Sequence, residues 1–360
     1  MGISFYSTFS LIAAYKLMQK PKSFLRDRYF PCNPNKDIFN TEQVLIEIGE
    51  GSKKLAPFVT PLKGGVLMKR NAVRMESFMP PTIAPARTLT SDELKKRGFG
   101  EAIGGSLSPE QRQQQYLLTD IDELGDSITR REELMASDIL FSNKCIMKHI
   151  ADDGSKGEDM QLDFSNEGNN SALYVPASKW TVDTSFETIE RDIYAMILML
   201  TGRGIAAEDM LVGTEVALVL KNNKAFLKNL DTDNLDAGAV TAAKDVDGAS
   251  LWGTLVIMGH RLNLFLYAET YEADDGTVKS YIPADMICIT APGAGHTCYG
   301  AHSLIPEGKE TFETYASQRI PHYVVDRKQG IRTITVFSHP VLLPKTIDPW
   351  VFATCVEMPE

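Results

Sequence analysis

Four residues in the last third of the chain, Cys288, His296, Cys298 and His302, carry side chains that bind zinc. Imidazole nitrogen and thiolate sulfur hold that ion at about 2.0–2.3 Å. Their spacing lacks the C-x-x-C knuckle of standard sites, so a loop with incidental His and Cys beside a sheet is the favoured reading. Pro292-Gly293-Ala294-Gly295 offers glycines to a phosphate, but no helix N-terminus follows to hold one, and a turn after a strand is favoured. Gly248-Ala249-Ser250-Leu251-Trp252 misses the nucleophile elbow by one residue. Asp231, Asp233 and Asp236 with Gly238 resemble a calcium loop only loosely, because Leu235 occupies a ligand position. Glu132-Glu133 could serve as paired carboxylates, yet on the polar face of a helix they would form ion pairs at helical spacing. No catalytic set survives, and the expectation is a protein that is not an enzyme and has no cofactor or metal.

The element that must organise these residues is a single long helix over 108–143. Ser108-Pro109-Glu110-Gln111 supplies a capping hydroxyl, proline at the first helical position and glutamine three residues after the cap. Leu117, Ile121, Leu124, Ile128, Met135 and Ile139 then recur at steps of three, four or seven, forming one apolar stripe. Asp120, Asp122, Glu123, Asp126, Arg130, Arg131, Glu132, Glu133 and Asp138 are expected on a charged outer face. At 1.5 Å per residue the helix would run roughly 50 Å, a spine rather than a packing element. Gly125 permits a slight bend.

Around it, 43% hydrophobic and 23% charged residues describe an ordinary folded chain, and 360 residues can bury a sizeable core. A formal net charge of -10 argues against a surface built to grip phosphates. Five scattered cysteines fit free thiols in a reducing compartment. Neither a signal peptide nor a membrane span is supported, because Tyr15-Lys16 interrupt the run Leu11 to Met18.

Residues 1–43 read as a basic arm with a helix over Thr8–Gln19, interrupted by Pro21, Pro31 and Pro34 and needing outside contacts to be ordered. Residues 44–80 have strand chemistry and form a projecting hairpin with Lys69, Arg70 and Arg74 near its tip. Two short strands follow the spine, around Asp152-Asp153-Gly154. A capping box at Thr184-Ser185-Phe186-Glu187 starts a helix ending near Gly202. Then come a helix Thr214 to Leu230, strands Thr254 to Met258, Asn263 to Tyr271 and Val278 to Ile282, an apolar run at Met286 to Thr290 and a glycine-rich loop through Gly300. Strands at Arg332 to Phe337 and Trp350 to Val356 end the pattern. Strands alternating with helices suggest a mixed sheet covered by helices.

The order arm, hairpin, proline linker, long helix, mixed domain and C-terminal return resembles the lambda-type major capsid proteins of tailed bacteriophages, the phage capsid E family. Phe58-Val59-Thr60-Pro61, Pro80-Pro81-Thr82-Ile83 and Arg130 to Met135 carry the likeness in the first half. In the second, Ala217 to Leu230, Tyr281 to Met286, Thr297 to Gly300, Pro340 to Pro344 and Asp348-Pro349 carry it. The resemblance implies an α+β fold, the tailed-phage major capsid fold. Its parts would be an N-arm (1–43), an extended loop (44–80), a peripheral domain (81–182) with the spine helix, an axial domain (183–320) and a return to the peripheral domain (321–360). It further implies hexamers and pentamers of an icosahedral shell around double-stranded DNA, a virion protein assembled in the host bacterial cytoplasm. The implied partners are a scaffolding protein, a portal protein and a decoration protein, with no membrane and no sequence-specific DNA binding. Nothing here indicates covalent cross-linking, and no long acidic leader is present, so the scaffold is expected as a separate protein. Charge and position nominate Lys22, Arg26, Lys69, Arg70, Arg74, Arg130 and Glu133 as subunit-interface residues. Two alternatives stay open: an encapsulin-like nanocompartment shell, and a cytoplasmic zinc-dependent enzyme using His296, Cys298 and His302.

Overall fold

A computed structural model describes residues 7–18, 23–49, 73–90, 108–148, 159–165, 170–231, 245–246, 248–306, 309–328 and 330–357. Two short helices open the chain, α1 (Thr8–Leu17), capped by the Ser7 hydroxyl, and α2 (Phe24–Tyr29). Next, β1 (Val44–Gly49) and β2 (Val73–Phe78) pair antiparallel as the root of the hairpin, whose tip and its Phe58 to Pro61 entry lie outside the described residues. After β3 (Ala86–Thr90) comes the spine, α3 (Pro109–Ser142). Its start is the full capping box: the Ser108 hydroxyl accepts from Gln111 N, and Gln111 Oε1 accepts from Ser108 N. The antiparallel pair β4 (Lys144–Met147) and β5 (Met160–Asp163) follows, its Asp152-Asp153-Gly154 connection outside the described residues.

Helix α4 (Phe186–Gly202) has Ser185 as its cap residue, but the expected capping box does not form. Ser185 Oγ instead meets Thr188 Oγ1 at 3.1 Å, and the Thr184 hydroxyl accepts from Thr181 N at 2.8 Å. Beyond β6 (Asp209–Val212), the single helix expected over 214–230 is divided into α5 (Thr214–Asn222) and α6 (Lys224–Leu227), followed by β7 (Leu230–Asp231). Asn223 makes the break: its side-chain oxygen accepts from Ala225 N and Phe226 N, both at 3.0 Å, and starts a new turn. The remaining strands are β8 (Asp245–Val246), β9 (Ala249–Ile257), β10 (His260–Leu266), β11 (Thr270–Glu272), β12 (Val278–Ser280), β13 (Met286–Thr290), β14 (Gly295–Tyr299), β15 (His302–Leu304), β16 (Glu313–Tyr315), β17 (Ile320–Asp326), β18 (Ile331–Phe337), β19 (Pro340–Pro344) and β20 (Trp350–Thr354).

Among the described residues the main sheet has seven strands in the order β20-β13-β6-β10-β9-β7, with β8 also on β9. It is mixed: β6 and β10 run parallel, the other pairs antiparallel. Side chains alternate across it. Ile287 and Ile289 face a core built with Ile193, Met196 and Ile197 of α4, while Cys288 and Phe352 face one built with Ile139 and Leu140 of the spine and Phe24 of α2. A third core joins the first half of the spine to α1, β17 and β18 through Ile121, Ile128, Leu11, Tyr323 and Val336. The closing residues therefore divide: β17 and β18 lie with β3 along the spine, β19 pairs β14, and β20 enters the main sheet.

Gly125 is a close contact, since an added Cβ would lie 2.5 Å from Tyr15 Cε2 of α1. One expectation for the spine needs correction. Glu132 and Glu133 are not on a solvated face, being 0% and 2% exposed. The second half of the spine runs under the sheet, which encloses Glu132, Glu133 and Ser137 while Arg130 and Arg131 stay exposed on its other side. Among the described residues no helix is long and apolar enough to cross a membrane.

Candidate functional site

Where the spine passes beneath the arm, one carboxylate gathers four elements. Arg319, just before β17, grips Glu132 through two parallel bonds, Nη1 to Oε1 and Nη2 to Oε2, both at 2.8 Å. Arg26 of α2 donates to Oε2 at 2.7 Å, and the Tyr299 hydroxyl at the end of β14 donates to Oε1 at 3.1 Å. Arg319 is itself 3% exposed and also donates to Thr129 Oγ1 and Ser338 Oγ. Burial opposes ionisation of Glu132, yet the Arg319 and Arg26 guanidinium groups outweigh it and hold the carboxyl below its usual range. Such a forked, charge-assisted arrangement fixes geometry as well as energy.

Glu133, the next residue, caps the arm helix. Its two oxygens accept from Leu25 N and Arg26 N, each at 2.8 Å, at the N-terminus of α2, and Tyr267 donates to it as well. Burial pushes this carboxyl up despite those donors. The other end of α2 is held by Asp209 of β6, which accepts from Arg28 Nε at 2.6 Å, Arg28 Nη2 at 3.0 Å and the Tyr29 hydroxyl at 3.1 Å. Beyond it, Phe30 covers Gly295, where any Cβ would collide with the ring, and its carbonyl accepts from Thr297 Oγ1 at 2.7 Å. The arm is thus keyed into its own chain by charge, by capping and by a glycine seat.

Of the residues nominated for a subunit interface, Arg26 and Glu133 are engaged here within one chain. Arg130 is exposed on the spine, and Arg74 lies opposite Ile48 in the hairpin register. Lys22, Lys69 and Arg70 lie outside the described residues. Sequence reasoning passed over Arg319 and Asp209 and placed Glu132 on the charged outer face. Glu132 carried a signal, since it lies four residues after Ile128 and three before Met135, on the apolar stripe itself. Arg319 carried none, because its partner is 187 residues away.

Of the nominated zinc residues, His296 and Cys298 stay together while Cys288 and His302 lie elsewhere. His296 and Cys298 are not in a loop but on strand β14, paired with β19. Cys288 lies on the main sheet, its thiol donating to Leu140 O. His302 belongs to a different cluster: Nδ1 meets His339 Nε2 at 2.9 Å, and its ring stacks on Phe337 at 4.2 Å. The segment Pro292 to Gly295 is a turn from β13 to β14, with Gly293 at φ 66°. What the structure brings together instead is a junction of arm, spine and β14, held by the ion pairs and hydrogen bonds of Glu132, Glu133 and Asp209. At the foot of the hairpin, Val44 packs with Cys298, Val341 and Leu343, so the junction and the hairpin root share β14 and β19.

A family model for phage major capsid protein E matches residues 7–355. The major capsid protein of Enterobacteria phage P21 is 23% identical over 353 residues, covering 95% of this chain and 96% of its own length. That of Escherichia phage lambda is 21% identical over 358 residues, covering 97% and 98%. In fold, the chain matches a crystal structure of a prophage capsid protein from E. coli CFT073 with TM-score 0.67 at 18% identity, covering 97% of this chain and 99% of the other. The capsid of Ralstonia phage GP4 matches with TM-score 0.51 at 12% identity, covering 96% and 94%. A spine pinned to its arm, a mixed sheet and a hairpin root, matched end to end by these proteins, place the chain in the phage major capsid protein E family, as a major capsid protein of the tailed-phage fold.

Proposed function

We propose that this chain builds an icosahedral shell of hexamers and pentamers around double-stranded DNA, assembling in the host bacterial cytoplasm and acting as a wall rather than a catalyst. The observation that carries this is the hairpin root. Strands β1 and β2 pair with each other and, among the described residues, with no third strand. An isolated two-stranded hairpin is marginal in water, so an excursion of this length gains its stability from a neighbouring copy.

In this reading the divisions are an arm (1–43), an extended loop (44–80), a peripheral domain (81–182), an axial domain (183–320) and a closing segment (321–360). Lys22, Lys69, Arg70, Arg74 and Arg130 contact adjacent subunits, while Arg26 and Glu133 act on the interface indirectly by holding the arm. A separate scaffolding protein sets curvature, a portal protein takes one vertex and a decoration protein covers the outside. The net charge of -10 keeps packaged DNA from adhering to the wall. Electron microscopy of the full chain, alone and with its scaffolding protein, tests the reading. Uniform closed shells, or rings of five and six, are expected, and small particles that never assemble under either condition would refute it.

A further inference from the structure

Between α2 and β1 the chain runs alongside β14. Ile38 bridges to Tyr299 in parallel, Tyr299 N donates to Asp37 O at 2.8 Å, and Phe39 N donates to Tyr299 O at 2.9 Å. His296 and Cys298 are two residues apart on β14 and so share one face of the strand. The register brings an Asp37 carboxylate oxygen, a His296 ring nitrogen and Cys298 Sγ within 4.8 Å of one another. His296 Nδ1 is buried and has no hydrogen-bond partner among the described residues, which is rare for a buried polar atom. The Asp37 carboxylate is already oriented, since Oδ2 accepts from Asn33 N at 2.7 Å.

We infer that Asp37, His296 and Cys298 form a site for a divalent cation of the zinc class. Oxygen, nitrogen and sulfur donors together select a borderline ion over magnesium or calcium, which take oxygen. Ligands held 2.0–2.3 Å from a tetrahedral ion are about 3.5 Å apart, so the trio needs only to contract by about 1 Å. On binding, the Cys298 thiol gives its proton to solvent and the thiolate sulfur bonds the ion, leaving a fourth position for water. This site differs from the His296, Cys298 and His302 set, because His302 is paired with His339. Its work is mechanical: it staples the segment carrying Asp37 to β14, where Cys298 packs with Val44 of the hairpin root.

The test uses the full chain, stripped with chelator and titrated with cobalt(II) alone or zinc alone. One equivalent of cobalt per chain with a thiolate-to-cobalt charge-transfer band is expected, displaced by zinc, and excess zinc should raise the melting temperature by a few degrees. Cys298→Ser and His296→Gln should each lose the band and the zinc-dependent shift, and Asp37→Asn, at a half-exposed position, should weaken both without unfolding the chain. His302→Gln should keep both. A wild-type chain without a stoichiometric band, a band that persists in Cys298→Ser, or equal loss in His302→Gln would overturn the inference.

Discussion

A single side chain shows how much of this molecule hangs on charge buried among distant parts of the chain. Glu132 is 0% exposed, so its four donors take the place of solvent, and among the described residues Arg319 has no other anionic partner. Replacing it by Glu132→Gln leaves Arg319 buried without its counter-charge and is expected to cost about 3–5 kcal/mol in denaturant unfolding. The pH dependence has a fixed sign. Because the folded pKa of Glu132 is depressed, its contribution is present above about pH 4.5 and is lost as pH falls through the folded value. Asp138 works the other way, since burial pushes it up to about 6, so its ionisation erodes stability as pH climbs from 3.8 to 6. Melting temperatures of Asp138→Asn should therefore exceed wild type at pH 7 and match it below pH 3.8. Charge and position picked out Arg26 and Glu133 in the sequence, but as subunit-interface groups. Burial of adjacent acids was hidden because Glu132 was read by its type and not by its place in the 3.6-residue stripe.

At the scale of elements, the arm is fitted to the spine and to β14 through small residues. Gly125 admits the Tyr15 ring, and Gly295 admits Phe30. A helix-interior glycine changed to alanine usually gains about 1 kcal/mol. Gly125→Ala is expected to lose that gain to overpacking, which typically costs about 1–3 kcal/mol, and to loosen α1. Faster limited proteolysis within residues 8–17, with the rest of the chain still resistant, would be the readout. The beginning of the spine was legible in sequence because capping is local, four residues that satisfy each other. Strand β14 was not, since Gly293, Gly295 and Gly300 look like a loop until the ring of Phe30 and the register with β19 account for Gly295. The break at Asn223 was legible in principle, because asparagine competes for backbone donors inside a helix. It was hidden by the apolar spacing on both sides.

For the whole molecule, the surface that a neighbouring copy would meet is separable from the groups that hold one chain together. Arg130 is exposed, whereas Arg26 and Glu133 are enclosed. Arg130→Glu should leave the unfolding midpoint of the unassembled chain within about 0.5 kcal/mol of wild type. Shell formation with scaffolding protein, followed by light scattering and microscopy, should fall sharply. The colinear order of elements made the family legible, since no single motif is chemically diagnostic, while contacts across more than 100 residues were invisible for want of any local rule.

The far end of the spine stops at Asn143, in left-handed backbone at φ 62°. Its side chain donates to Asp348 Oδ1 at 2.8 Å and accepts from Trp350 Nε1 at 3.1 Å. Those partners are separated from it by 205 and 207 residues. On a ribosome, this helix end therefore waits for most of the chain to be made before its last polar groups are satisfied and β20 can enter the main sheet. Synthesis therefore sets an order of folding: the last turn of the spine gains its side-chain partners only after the segment carrying Asp348 and Trp350 has been made.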